Sequence, residues 1–297
     1  KEPIDDSAVM KLTTRTGSKE GLQVFEADGA LLFIQGVQDE QSDLERGTTL
    51  REFLFVETEQ SYSAPNLSRL APHLIKNPVS VTMRRAINTD EADLLVLVNE
   101  DGTATSYTTM RREKVEAFTR IETGNSDRDQ DKILAVAADK RRRIYFATER
   151  VINGVKRRFL ERWNDNLLLD GGGIVTVTAE TTTAKVGQTD FSFSFATPLS
   201  EDAIGVQING GRLAKDNYSV DLGAKTVTLD SGADKGDEVR ISRMIDELTG
   251  LSHLEGETID ALIDGSPASK SFTVTDGKVA LDQYADTEVQ YGFDFSV

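Results

Sequence analysis

Short apolar runs separated by polar, glycine-bearing turns constrain this chain more than any other feature. Residues 31–34 (LLFI), 53–56 (FLFV), 93–98 (DLLVLV), 133–137 (ILAVA) and 143–147 (RIYFA) each have the length of a β-strand rather than of a helix. Asp28-Gly29 and the Asn99–Gly102 tetrad supply turns in which glycine accepts the positive φ of a tight hairpin. Residues 94–108 (LLVLVNEDGTATSYT) and 133–149 (ILAVAADKRRRIYFATE) repeat one theme of strand, charged turn and strand. Such hairpins predict either radially arranged four-stranded blades or a sandwich. One segment, 64–74 (APNLSRLAPHL), reads as a short helical turn with Asn66 as its cap. Residues 111–121 (RREKVEAFTRI) have helical propensity but follow a strand directly and alternate, so they are expected to continue the strand pattern.

From residue 173 to 246 the alternation is cleaner. Six half-buried strands are expected at 174–178, 190–195, 204–208, 218–220, 226–229 and 238–242, with Asn209-Gly210 as a hairpin turn. Further strands are expected at 272–274, 278–281 and 289–293, which makes the whole chain all-β. Charge divides it. Up to Asp170 there are 25 Lys and Arg against 29 Asp and Glu; from Gly171 onward there are 9 against 21. The change falls at Asp170, Gly171, Gly172 and Gly173, which reads as a flexible boundary. The expected segments are therefore 1–170, an antiparallel β-sandwich over 171–246, and a short C-terminal β region over 247–297.

Several chemistries are disfavoured. The chain of 297 residues has no cysteine, which removes disulfides, Cys-ligated zinc and thiol catalysis. No apolar run approaches the roughly 18–20 residues of a membrane-spanning helix. A net charge of −16 is at odds with a nucleic-acid-coating protein, because phosphate contacts need excess Lys and Arg. His73 and His253, the only histidines, stand beside turns without a nucleophile elbow, and are expected to be structural. Asp127, Asp129 and Asp131 alternate like a calcium loop, but the glycine and distal glutamate of such a loop are missing, so a solvated loop is expected. No carboxylates cluster among aromatics as a glycosidase cleft requires. The Gly-rich 170–173 stretch lacks a following Lys-Ser/Thr and opens a strand, so it is not a phosphate loop. No catalytic, metal or cofactor residue is expected. Lys140, Arg141, Arg142 and Arg143, with Lys156, Arg157 and Arg158, are the candidate functional residues. They could face DNA or an acidic neighbouring subunit.

Four segments carry a resemblance. Residues 50–74 (LREFLFVETEQSYSAPNLSRLAPHL) resemble the pattern of the nozzle, or tail tubular B, proteins of short-tailed phages, in which a strand leads through an aromatic to a "dLSxLAxHL" turn. Residues 98–120 are similar to that family's "DGxLxxxTYxxxxxVxAWxR" strand pair, with Phe118 where the family usually has Trp. Residues 144–163 (IYFATERVINGVKRRFLERW) resemble its "lyxxVxRxIxGxxxRxIExl" element, and 251–265 (LSHLEGETIDALIDG) its "LxHLeGxtVxvlaDG" signature. The intervening sandwich segment is similar to β-domains at the start of podovirus tail fibres.

The resemblance implies a fold and a role. The fold would be incomplete β-propeller-like blades over 1–170, interrupted by the inserted sandwich and resumed over 247–297. The role would be that of a non-enzymatic structural component of a phage tail in the virion. It implies a homo-oligomer, hexameric by resemblance, with head–tail adaptor and tail-fibre partners. It also implies transient non-specific contact with translocating DNA and contact with a host surface. Only the C-terminal half of a nozzle is matched and the chain opens at Lys1, so a portion of a longer protein or a truncated relative is expected. The competing readings are a receptor-binding or polysaccharide-degrading tail or surface protein, and an adhesin of sandwich modules.

Overall fold

Alternating side chains and tight turns produce twenty-five strands among the residues described by the computed structural model, which are 17–36, 48–88, 90–124, 130–198 and 200–294. No α-helix occurs among them, only single 3₁₀ turns, so no helix there is long and apolar enough to cross a membrane. The chain divides into two units, residues 1–151 with 156–164, and residues 152–155 with 165–297.

The first unit is a succession of antiparallel meanders. β1 (Phe25–Ala27), β2 (Ala30–Gln35), β3 (Thr49–Val56) and β4 (Ser61–Ser63) form one sheet in sequence order. β5 (Ser80–Arg84), β6 (Asp93–Val98), β7 (Ala104–Met110) and β8 (Val115–Ile121) form the next, and β9 (Lys132–Ala138), β10 (Ile144–Ile152) and β11 (Val155–Arg162) a third. The middle sheet is covered on both faces. Leu95, Leu97 and Tyr107 pack with Leu32, Ile34 and Leu50 of the first sheet, whereas Leu94, Val96 and Val98 pack with Ile133, Val136 and Ile144 of the third. Successive strand residues point to opposite faces, so double burial explains why β6 is an unbroken apolar run. The free edge of β9 is met by side chains rather than by a strand. Ser80 Oγ accepts from Val136 N–H at 3.1 Å, and Thr82 Oγ1 accepts from Ala138 N–H at 3.0 Å.

Two local expectations change here. The strand expected over 111–121 begins only at Val115, because Arg111–Glu113 forms a 3₁₀ turn and Lys114 takes a left-handed φ of 55°. The helical turn in 64–74 is two 3₁₀ turns, Leu67–Leu70 and Pro72–Leu74. Asn66 occupies the cap position but accepts from the Ser68 hydroxyl at 3.1 Å instead of from a backbone N–H. Ser68 is fully buried, and its oxygen in turn accepts from Leu50 N–H.

In the second unit, β12 (Asp170–Thr176) precedes seven strands: β13 (Thr178–Thr183), β14 (Gln188–Ser192), β15 (Ile204–Ile208), β16 (Gly211–Arg212), β17 (Tyr218–Asp221), β18 (Thr226–Ala233) and β19 (Glu238–Arg243). They form the sheets β13-β19-β15-β16 and β14-β18-β17, whose inward residues make one sandwich-like core. Phe191, Phe193 and Phe195 enter it at every second position, as the FSFSF alternation requires. The rest comprises β20 (Ile245–Thr249), β21 (Thr258–Ile263), β22 (Ser266–Pro267), β23 (Phe272–Thr273), β24 (Lys278–Ala285) and β25 (Glu288–Phe293). β12-β25-β21-β22 is one sheet with β23 also on β21, and β20 pairs with β24.

The glycine stretch at 170–173 is not a flexible boundary. It is the start of β12, and a Cβ on Gly172 would lie 1.6 Å from the Tyr291 carbonyl oxygen. Glycine is there because the backbones of β12 and β25 touch, with a register shift between Asp170 and Gly173. Consequently the strand expected at 174–178 belongs with the C-terminal sheet. Thr178–Thr183 takes its place beside β19. That threonine-rich segment has strand propensity but almost no apolar alternation.

Candidate functional site

The seven candidate cations lie on one three-stranded sheet but not in one place. Lys140, Arg141, Arg142 and Arg143 form the β9–β10 turn, closed by Asp139 N–H to Arg143 O at 3.0 Å, with Arg142 at a φ of 65°. Asp139 organises it, accepting from Arg141 N–H at 2.8 Å, Arg143 N–H at 2.9 Å and Arg143 Nε at 2.7 Å. Arg143 also lies over the Tyr145 ring, 5.6 Å from its centroid. Arg142 donates to Arg85 O at 2.7 Å and pairs with Glu91. Lys156 and Arg158, on β11, reach Glu149 of β10 at 3.2 and 3.3 Å. Glu149 is six residues beyond Arg143 along β10, so about 20 Å of strand separates the two clusters.

The acids that meet these cations are held in the charged form. Arg143 beside Asp139, Arg142 beside Glu91, and Lys156 with Arg158 beside Glu149 each keep the carboxyl below its usual range. Four of the seven cations are thus paired with three carboxylates, Lys156 and Arg158 sharing Glu149. Lys140, Arg141 and Arg157 are exposed and have no ion-pair partner among the described residues. His73 and His253 stand on exposed 3₁₀ turns, in different units. Among the described residues no three His, Asp or Glu side chains converge to hold a metal ion.

One charged cluster was not legible as a site. Arg150 is 1% exposed, and its guanidinium grips Glu161 through Nε at 2.6 Å and a terminal nitrogen at 2.8 Å. The other terminal nitrogen lies 3.3 Å from Asp131, whose second oxygen accepts from Val151 N–H at 2.9 Å. Asp131 is therefore a buried partner of Arg150, contrary to the solvated loop expected for it; Asp127 and Asp129 lie outside the described residues. A signal existed. Ile144, Phe146, Thr148, Arg150 and Ile152 are the buried members of β10, so strict alternation places Arg150 inside.

The segments that carry the resemblance serve the framework. Arg150 and Glu161 stand at the Arg and Glu of the "RxIxGxxxRxIE" pattern and are paired with each other. In residues 251–265, Leu251 and Leu254 are buried, and the Glu255 carboxylate accepts from Asp276 N–H at 2.9 Å and Gly277 N–H at 2.7 Å. Asp264 accepts from the N–H groups of Asp286, Thr287 and Glu288 at 2.8, 2.7 and 3.1 Å. Burial works to raise its pKa, but the three donors together hold it below the usual carboxylate range. Compared with known protein families and with curated proteins, the sequence matches none.

Proposed function

We propose that this chain is a structural component of a short phage tail in the virion. It forms part of a hexameric nozzle tube that retains packaged DNA, conducts it at ejection and carries fibres. In this reading the three stacked meanders are propeller-like blades, and the 178–243 sandwich is an insertion before the C-terminal strands. The chain acts without an active site; its partners are further copies of itself, the head–tail adaptor and tail fibres.

The observation that carries the reading is the disposition of charge. Four of the seven clustered cations are paired with three neighbouring carboxylates, Glu149 serving two of them, in a chain whose net charge is −16. A conduit that passes DNA without gripping it benefits from such a surface, because each phosphate contact slows sliding. Lys140, Arg141 and Arg157 then serve subunit or adaptor interfaces rather than the bore. Electron microscopy of the protein with its tail neighbours tests this: rings or tubes of six copies support it. An assembly with both cationic clusters facing the axis refutes the assignment of the cations. A protein that remains monomeric with those neighbours and cleaves polysaccharide refutes the whole reading.

A further inference from the structure

The second unit contains a cavity of about 400 Å³ that the tail-tube reading does not use. It falls within the roughly 300–1,000 Å³ of small-molecule sites. The sandwich contributes Asp202, Arg212, Lys215 and Tyr218, and Met244 and Tyr284 close it from the segments that follow. Its walls are largely apolar, with a few charged groups converging on them.

Each group offers a distinct kind of contact. The Lys215 ammonium sits 5.1 Å from the Tyr218 ring centroid and gives one of its three donors to Glu201 O. Asp202 is 3.7 Å away and mostly exposed, so it restrains that ammonium only loosely. Burial lowers the Lys215 pKa, and its acidic neighbours Asp202 and Glu201 only partly offset this. Arg212 is paired with Asp286 on one side, while a terminal nitrogen meets only the Met244 sulfur, a weak acceptor, at 3.3 Å. Tyr218 spends its hydroxyl on Ile204 O at 2.8 Å and so presents a ring to the cavity. Tyr284 is 41% exposed.

These contacts define a ligand. Two cations with unspent donors call for an anion, the exposed Asp202 carboxylate calls for a hydroxyl donor, and the tyrosine and methionine surfaces call for an apolar face. A free phosphate lacks the apolar face, an aromatic carboxylate offers Asp202 no hydroxyl donor, and a neutral sugar offers the unspent donors of Lys215 and Arg212 no charged acceptor. We propose that this cavity binds a carboxylated sugar of the hexuronate class. The carboxylate lies between Lys215 and Arg212, a ring hydroxyl donates to Asp202, and the C–H face of the sugar rests on Tyr284.

The test is a calorimetric and NMR titration of the full chain with D-glucuronate, with D-glucose and benzoate as comparison probes. Saturable glucuronate binding is expected, with glucose and benzoate each weaker by about ten-fold or more, as loss of a charge-assisted contact or of hydroxyl recognition implies. Lys215→Gln and Tyr284→Ser should each weaken glucuronate by about ten-fold, while Lys270→Gln, a surface lysine beside Phe272, should leave it unchanged. Absence of glucuronate binding, equal binding of either comparison probe, or undiminished binding by both variants would overturn the proposal. Should Lys215→Gln fail to fold, Tyr284→Ser decides the matter, because an exposed ring can be removed without disturbing the core.

Discussion

Replacing Arg150 by methionine removes a guanidinium buried between Asp131 and Glu161, and it keeps a side chain of similar length in the space. The variant loses the two-pronged contact with Glu161, at 2.6 and 2.8 Å, and the 3.3 Å contact with Asp131. The two acids then fare differently. The Glu161 side chain is 25% exposed and can rehydrate, so its share is small, about 1 kcal/mol or less. The Asp131 side chain is 1% exposed and cannot rehydrate when Arg150 is lost, and breaking a buried pair in this way costs about 3–5 kcal/mol. At about 2–4 °C per kcal/mol for a unit of this size, the melting temperature should fall by roughly 6–20 °C. Trp163 provides the assay. It is the only tryptophan of the chain, belongs to the first unit, and stacks on Phe146 at 5.9 Å, so its fluorescence in urea reports the unit that holds Arg150. Adding Asp131→Asn should recover part of the loss, about 1–3 kcal/mol, because the uncompensated charge is then gone while the acceptor for Val151 N–H remains. A single variant within about 1 kcal/mol of the parent, or a double variant with no recovery, would refute the assignment of the cost to a stranded buried charge.

Other perturbations separate the remaining arguments. Gly172→Ala should destabilise the second unit by about 1–3 kcal/mol or more and speed amide exchange in β12 and β25, since the new Cβ must push the Tyr291 carbonyl away; unchanged exchange would contradict the close approach. Asp264→Ala should lower the melting temperature near pH 7, and the difference should shrink in acid. The Asp264 pKa is lower in the folded state, so its stabilisation is complete above the unfolded value of about 3.9 and is lost as pH falls through the folded one; a difference that did not diminish at all between pH 7 and pH 2 would be inconsistent with this linkage. Burial pushes Tyr107 up to about 12. Its phenol should therefore stay silent in ultraviolet titration while exposed tyrosines ionise, and stability should decline from about pH 10 towards 12 as the unfolded chain loses that proton first. Reversing Lys140, Arg141 and Arg157 to glutamate should leave the Trp163 unfolding transition within about 1 kcal/mol, as expected for exposed unpaired charges, yet abolish ring or tube formation; intact tubes would remove these residues from the interface.

How far the fold could be read from the chain differs from element to element. β6, β10 and the FSFSF segment were legible because each alternates or runs apolar for the length of a strand. The Asp28-Gly29 and Asn209-Gly210 turns were legible because both of their residues take positive φ, which few other pairs tolerate. β13 was not, since TAETTT carries its preference in β-branched threonines with little apolar pattern. The cationic clusters were visible as charge runs, but their pairing with carboxylates was not. Glu91 is some fifty residues from Arg142 in sequence, and Glu149 meets Lys156 and Arg158 only across a strand pair.

Local chemistry alone therefore determined that this chain is all-β, where most strands and hairpins lie, and that it carries a net negative charge. These follow from periodicity, turn residues and counting, which act over a few neighbouring residues. Only the tertiary structure decided that Gly172 is a point of backbone contact instead of part of a flexible boundary, that Asp131 is buried against Arg150, and that Lys215, Arg212 and Tyr284 share one cavity. Each of these depends on which distant strands meet. Strand pairing and burial are collective outcomes of core packing, and they join residues between which the sequence records no neighbourhood.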